Sequence, residues 1–113
     1  HVHCIGHPTG RLINRRPAYK VDFQAVINAA AEYDTCLEIN ANPWRLDLDD
    51  RLSAAAKEAG VKLAISTDAH STVGLDVMRC GILQARRAGL EAQDVVNTRP
   101  LPLLRELLKK RNE

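Results

Sequence analysis

Aromatic residues are scarce in this sequence: one tryptophan, two tyrosines and one phenylalanine amount to 4% of 113 residues. With 45% apolar residues overall, the core has to be built from Leu, Ile, Val and Ala, as in α/β proteins, and a disordered chain is excluded. Only three cysteines are present, Cys4, Cys36 and Cys80. They are odd in number, sit among apolar neighbours and lack Cys-x-x-Cys spacing, which suits buried thiols in a reducing cytoplasm better than a disulfide framework and argues against a zinc ribbon. No apolar stretch approaches the ~20 residues of a membrane span, and no charged-then-apolar signal segment opens the chain. A strong excess of one charge is missing too. The formal net charge of +2 neither demands nor excludes nucleic acid, so any basic surface must be argued locally.

The length fits one small domain and falls short of the roughly 200 residues of a complete enzyme barrel. Together with the absence of an initiator methionine, this leads us to expect part of a longer chain. Short apolar runs alternate three times with helical patterns. Val2 to Ile5 is the first run, ended by Gly6 and Pro8 and followed by a polar loop from Thr9 to about Lys20. Asp22 then reads as an N-cap, because Phe23, Val26, Ile27 and Ala30 fall on one helical face. Cys36 to Ile39 forms the second run, and a loop through Trp44 leads to a helix beginning near Asp49 or Asp50. That helix turns Leu52, Ala55, Ala56 and Ala59 inward and stops at Gly60. Val61 to Ser66 is the third run. A helix capped by Ser71 or Thr72 should follow, running to about Ala88 with Leu75, Met78, Ile82 and Ala85 as its buried stripe. Asp94 to Asn97 reads as a short turn. Pro100 to about Arg111 reads as a last amphipathic helix, with Leu101, Leu104 and Leu108 on one face and cations at its C-terminal end. The expected fold is α/β: about three consecutive βα units plus a C-terminal helix, with a parallel sheet or part of a barrel.

Side chains alternate along a strand. In the third run Val61, Leu63 and Ile65 face covering helices while Ala64, Ser66 and Asp68 share the other side. Leu37 and Ile39 of the second run take the helix side and leave Cys36, Glu38 and Asn40 opposite. His1, His3, Ile5 and His7 share a face of the first run, expected to join that polar side. Polar groups thus gather at the C-terminal ends of the strands, where α/β folds place their sites.

His7 in Gly6-His7-Pro8, with Asp68 and His70 in Thr67-Asp68-Ala69-His70, offers imidazole nitrogens and a hard carboxylate oxygen, a mixture suited to zinc, manganese or iron more than calcium. Each motif alone is more often structural; their joint placement at strand ends favours a metal site. His1-Val2-His3 resembles the His-x-His pair that opens many metal-dependent hydrolase barrels. His3 would lie ~13 Å from His7 along one strand, so it is not expected to share a metal with it. Glu38 and Asn40, on an apolar strand, need partners: they either hold a ligand or substrate through hydrogen bonds or, for Glu38, pair with a Lys or Arg. Arg11 is a candidate phosphate contact and Arg15, Arg16, Lys20 and Arg45 candidate nucleic-acid contacts, against the simpler reading of a solvated charged loop. Trp44 is expected to pack against its loop.

The strings Gly6-His7-Pro8-Thr9-Gly10-Arg11-Leu12, Leu37-Glu38-Ile39-Asn40-Ala41-Asn42-Pro43 and Ser66-Thr67-Asp68-Ala69-His70-Ser71 resemble the polymerase and histidinol phosphatase (PHP) domain. The version at the C-terminus of bacterial and archaeal family X DNA polymerases is the nearer in pattern, and Asn97-Thr98-Arg99-Pro100-Leu101 resembles its end. The resemblance implies a distorted (βα)7 barrel, of which residues 1–113 would be the C-terminal portion of a single domain. It also implies a three-metal cluster of manganese or zinc, with iron or magnesium as alternatives, held by about nine ligands. His7, Asp68 and His70 match the last three of these; the others would lie upstream. The implied activity is metal-dependent phosphodiester hydrolysis on DNA 3′ ends or abasic sites. Asp68 and His70 would act at the reacting centre, and a polymerase module would precede them in the same chain. On this count the 113 residues alone should be inactive. Alternatives are a small-molecule phosphatase of the histidinol-phosphatase type, a non-catalytic structural PHP module and, more distantly, an amidohydrolase using His1 and His3.

Overall fold

The computed structural model describes residues 2–109. Three parallel strands, β1 (Cys4–Ile5), β2 (Cys36–Asn40) and β3 (Leu63–Ser66), lie in the order β1-β2-β3. Helices α1 (Phe23–Glu32), α2 (Asp50–Glu58), α3 (Met78–Arg87) and α4 (Leu101–Leu108) follow the strands and close the chain. The expected α/β order of three βα units and a terminal helix is therefore present. His1, Lys110 and Arg111, to which the sequence reading also assigned places, lie outside the described residues. Among the described residues no helix is long and apolar enough to cross a membrane.

Asp22 caps α1 as expected, and α2 begins where expected, behind a second cap. The Asp22 carboxylate accepts from the Ala25 N–H at 3.2 Å and Asp49 from the Leu52 N–H at 2.8 Å, each holding a helix end by about 1 kcal/mol. One face of the sheet is dry: Leu37, Ile39 and Leu63 are fully buried, Ile65 nearly so, and Ile27, Ala56 and Ala85 of the helices pack on them. On the other face Glu38, Ala64 and Ser66 remain half-buried. Gly81 allows α3 to lie against the sheet, since a β-carbon there would stand 2.6 Å from Ile65 Cγ2 and 2.7 Å from Ala41 Cβ. The outer edge of β3 is covered by a parallel bridge from Leu63 to Val95 and, beyond it, by one side chain. Asn97 Oδ1 accepts from the Ile65 N–H at 3.1 Å while its Nδ2 donates to the Ile65 carbonyl at 2.6 Å, an amide doing what a neighbouring strand would do.

Three expectations need correction. The segment before α3 is a 3-10 helix, Val73–Val77; of the two expected caps Thr72 makes none, while the Ser71 hydroxyl accepts the Gly74 N–H at 3.4 Å. Its tighter winding shifts the phase of the apolar stripe, so Gly81, Gln84 and Ala85 are buried, while Leu75 and Ile82 are exposed. Ala59 is exposed at the end of α2, and Ser53 is buried in its place. In α4 Leu101 is exposed, whereas Leu104 and Leu108 are half-buried.

Candidate functional site at the strand ends

His7 and Asp68 close β1 and β3 with left-handed backbones, φ 28° and 54°. A non-glycine residue pays roughly 1–2 kcal/mol for that conformation, so surrounding contacts must hold it, a pattern that clusters at functional sites. Those contacts come from β2. One oxygen of Glu38 accepts the His7 N–H at 2.6 Å and the other accepts the Ser66 hydroxyl. Two residues on, Asn40 donates from Nδ2 to Asp68 Oδ2 at 3.3 Å and accepts the Asn42 N–H through Oδ1 at 3.0 Å. Glu38 and Asn40 therefore tie both neighbouring strand ends to the middle strand. The salt-bridge alternative for Glu38 finds no Lys or Arg partner among the described residues.

The first strand corrects the parity argument. Cys4 stands beside Cys36 and Ile5 beside Leu37, so Cys4 shares the Glu38 side and His3 and Ile5 take the other. His7 reaches Glu38 only because the strand ends at Ile5 and the chain turns. Withdrawal of the Cys4 thiol from water, then its neighbours Cys36 and Glu38, push it up to about 11. All three cysteines are free thiols, but only Cys36 is buried as expected; Cys80 is half-buried and Cys4 lies on an exposed strand with its thiol turned partly inward. His3 is half-buried and passes its carbonyl to the Cys36 N–H at 2.9 Å.

His7, Asp68 and His70 are all exposed. Among the described residues no group of three or more His, Cys, Asp and Glu side chains is gathered so as to hold a metal ion. The individual donors nevertheless fit one. His70 Nδ1 lies 2.8 Å from the Asp68 carbonyl; a carbonyl only accepts, so Nδ1 is the donor of this bond, and the tautomer that makes it is the one with its lone pair on Nε2. Asp68 keeps Oδ1 without a partner among the described residues. The chemistry of this donor set suits a borderline divalent ion, and its number is short of a closed site.

Arg11 is half-buried, donating from Nε to the Arg45 carbonyl at 2.8 Å and from a terminal nitrogen to the Leu46 carbonyl at 2.6 Å. Arg45 returns a bond to the Arg11 carbonyl at 3.4 Å. Both guanidinium groups thus bind the two loops together and keep only part of their N–H groups for a ligand. Arg16 donates twice to the Gly10 carbonyl, at 2.9 and 2.7 Å, and stacks 5.8 Å from the Tyr19 centroid. Arg15 and Lys20 are exposed. Arg11, Arg15, Arg16 and Asn14 border a cavity of about 550 Å³ with Ile13 and Leu52 among its apolar walls. Trp44, expected to pack, is 64% exposed, because Asn42 and Ile13 bind its backbone and leave the indole outside.

One residue of the site went unseen in sequence. Asp47, fully buried, accepts the Thr9 N–H at 3.1 and 3.0 Å and the Gly10 N–H at 2.9 Å. Its place in Arg45-Leu46-Asp47-Leu48-Asp49-Asp50 gives only apolar alternation as a signal, shared with exposed acids.

No family model matches the chain. The DNA polymerase/3'-5' exonuclease PolX of Bacillus subtilis is 46% identical over 110 residues, covering 97% of this chain and 19% of that protein, in its C-terminal part. A probable phosphatase of Thermoanaerobacter is 30% identical over 117 residues, 98% of this chain and 45% of that protein. The probable phosphatase YcdX of Escherichia coli is 36% identical over 76 residues, 62% of this chain and 29% of that protein. The chain thus spans less than half the length of these curated relatives.

Proposed function

We propose that this chain, a member of the PHP family related to the polymerase X type, supplies one side of a metal-dependent phosphoesterase centre that acts on DNA 3′ ends or abasic sites. The observation that carries the reading is the pairing of His7 and Asp68, both in left-handed backbone at strand ends, with the Glu38 and Asn40 side chains that hold them. His7, Asp68 and His70 would hold divalent ions, manganese or zinc, within a three-metal cluster completed by residues upstream in a (βα)7 barrel. Such ions, when bound, lower the pKa of a water and neutralise a phosphoryl oxygen. Glu38 fixes the His7 backbone, Asn40 orients Asp68, and the free N–H groups of Arg11 face phosphate. Arg15, Arg16, Lys20 and Arg45 supply backbone contacts to DNA, and the exposed Trp44 indole a surface on which a base can stack. On this reading a polymerase module precedes these residues in the same chain and the protein acts in DNA repair in the cytoplasm; the likeness to PolX of Bacillus subtilis supports it.

A second reading, a small-molecule phosphatase, is supported by the phosphatase relatives that match 98% of this chain at 30% identity. The full-length protein decides between them by metal analysis and by hydrolysis of 3′-labelled DNA against a phosphomonoester such as histidinol phosphate. Metal-dependent 3′ cleavage of DNA that His70→Ala abolishes is expected. Monoester hydrolysis without DNA cleavage would favour the second reading, and a metal-free inactive protein would leave only a structural module.

A further inference from the structure

Asp47 lies on the return of the β2 loop, where the chain pairs back on the strand it has just left. The Asn40 N–H donates to the Asp47 carbonyl at 2.6 Å, the Asp47 N–H to the Asn40 carbonyl at 3.2 Å, and the Leu48 N–H to the Glu38 carbonyl at 3.0 Å. These bonds lock the Asp47 backbone to the same two residues that hold the ends of β1 and β3. The preceding Leu46 is left-handed, φ 42°, which a branched side chain adopts only under constraint; the Asn42 carbonyl and the Arg11 guanidinium provide it.

A buried carboxylate needs compensation. Among the described residues no Lys, Arg or His forms an ion pair with Asp47; the N–H groups of Thr9 and Gly10 satisfy it instead. Those amides belong to the turn that begins at His7, closed by the Gly10 N–H on the His7 carbonyl at 3.0 Å, with Gly10 itself left-handed at φ 67°. Glu38 grips the N–H of His7 at the start of the turn and Asp47 grips the two amides at its end. The unfavourable φ of His7 is thus fixed from both sides by carboxylates of β2 and its loop.

We infer that Asp47 is a positioning residue: through the Thr9–Gly10 amides it sets the direction of His7, and of Arg11 next along the chain, toward a divalent cation and its phosphate ligand. The inference rests on the reading of His7 as a metal ligand. Asparagine at this position keeps the size but has one acceptor oxygen, and its NH2 would confront an N–H of the turn.

The test uses the full-length protein with Mn²⁺ alone as probe, by calorimetric titration, and 3′-labelled DNA for kinetics. Asp47→Asn should weaken the Mn²⁺ binding that His7→Ala removes by about 10-fold or more, the lower range for partners of metal ligands, and lower kcat with KM little changed. Asp94→Asn is the control, since Asp94 is also a mostly buried carboxylate accepting a backbone N–H, at the opposite end of the sheet; it should leave Mn²⁺ affinity intact. Equal affinity in Asp47→Asn and the parent protein overturns the inference, as does an equal loss in Asp94→Asn. If His7→Ala loses no metal binding, the metal reading itself fails and the inference falls with it. Should Asp47→Asn not fold, amide exchange in the unsubstituted protein decides: slow exchange at Thr9 and Gly10 supports the grip of Asp47, and fast exchange refutes it.

Discussion

The two ends of the sheet treat charge in opposite ways. At the N-terminal end of β3 the Asp94 carboxylate meets the Lys57 ammonium at 3.2 Å and the Glu91 N–H at 2.8 Å. Lys57 also donates to the Gly89 carbonyl at 2.8 Å, Lys62 to the Gln93 carbonyl at 3.1 Å, and Arg99 to the carbonyls of Val95 and Gln93 at 2.8 and 2.9 Å. Charge there is neutralised and used to fasten the last loop. At the C-terminal end Glu38, Asp47 and Asp68 are bound by amides and a hydroxyl, and among the described residues none is paired with a Lys or Arg. The negative charge of that end is left for something else to balance. One end uses its charges to hold the fold together, and on the proposed reading the other receives a cation, which would be the division of labour α/β folds show between the two ends of their strands.

That division predicts that substitutions separate stability from activity. The largest effect is expected at Leu63, fully buried beside Val95 at the fastening end: Leu63→Ala should cost about 2–5 kcal/mol of stability. Below the melting transition, activity per folded molecule should stay near that of the unsubstituted protein. Asp68→Ala comes next and should do the reverse. Its exposed side chain makes a single long bond to Asn40, but alanine tolerates the left-handed backbone at φ 54° less well than aspartate, so a stability loss of no more than about 1 kcal/mol is expected, together with a loss of hydrolysis of about 100-fold or more. Paired thermal melts and initial rates on the full-length protein check both. A Leu63→Ala protein that is folded yet inactive, or an Asp68→Ala protein that is destabilised yet active, would break the comparison.

How much of this was readable in the sequence depended on whether local periodicity decided it. The cap at Asp22, the start of α2 near Asp49 and the faces of β2 and β3 rest on spacing within a few residues, and they stand as read. The face of β1 did not, because two residues make a strand too short to carry parity through Gly6 to a left-handed His7. The stripe on α3 slipped for a related reason: five residues of 3-10 helix precede it, and nothing in Val73-Gly74-Leu75-Asp76-Val77 announces the change of winding. Asp47 was invisible because its burial comes from bonds to residues 37 and 38 positions away. Its neighbours Asp49 and Asp50 have the same composition and stay half-exposed. Motif strings singled out the candidate ligands His7, Asp68 and His70, but only the folded chain joins two of them, His7 and Asp68, through β2.

The smallest predicted effect is also the one that isolates the fastening end. Burial pushes the Asp94 carboxyl up, but the Glu91 N–H, the hydrogen bond and charge of Lys57 and the charge of Lys62 together hold it below its usual value. A carboxylate depressed in the folded state stabilises in full above its unfolded value, about 3.9, and loses that contribution as pH falls through the lower folded value. Asp94→Asn removes the titrating group and keeps the shape. The unsubstituted protein should therefore melt higher than Asp94→Asn by a constant margin between pH 7 and pH 5, and the margin should close below about pH 4. A margin that persists at low pH would mean that packing and not charge fastens this end, and no margin at neutral pH would mean that the Lys57 pair contributes nothing, as exposed pairs often do. In the same variant Mn²⁺ affinity should not move, because the charge that matters to a cation lies at the other end of the strands.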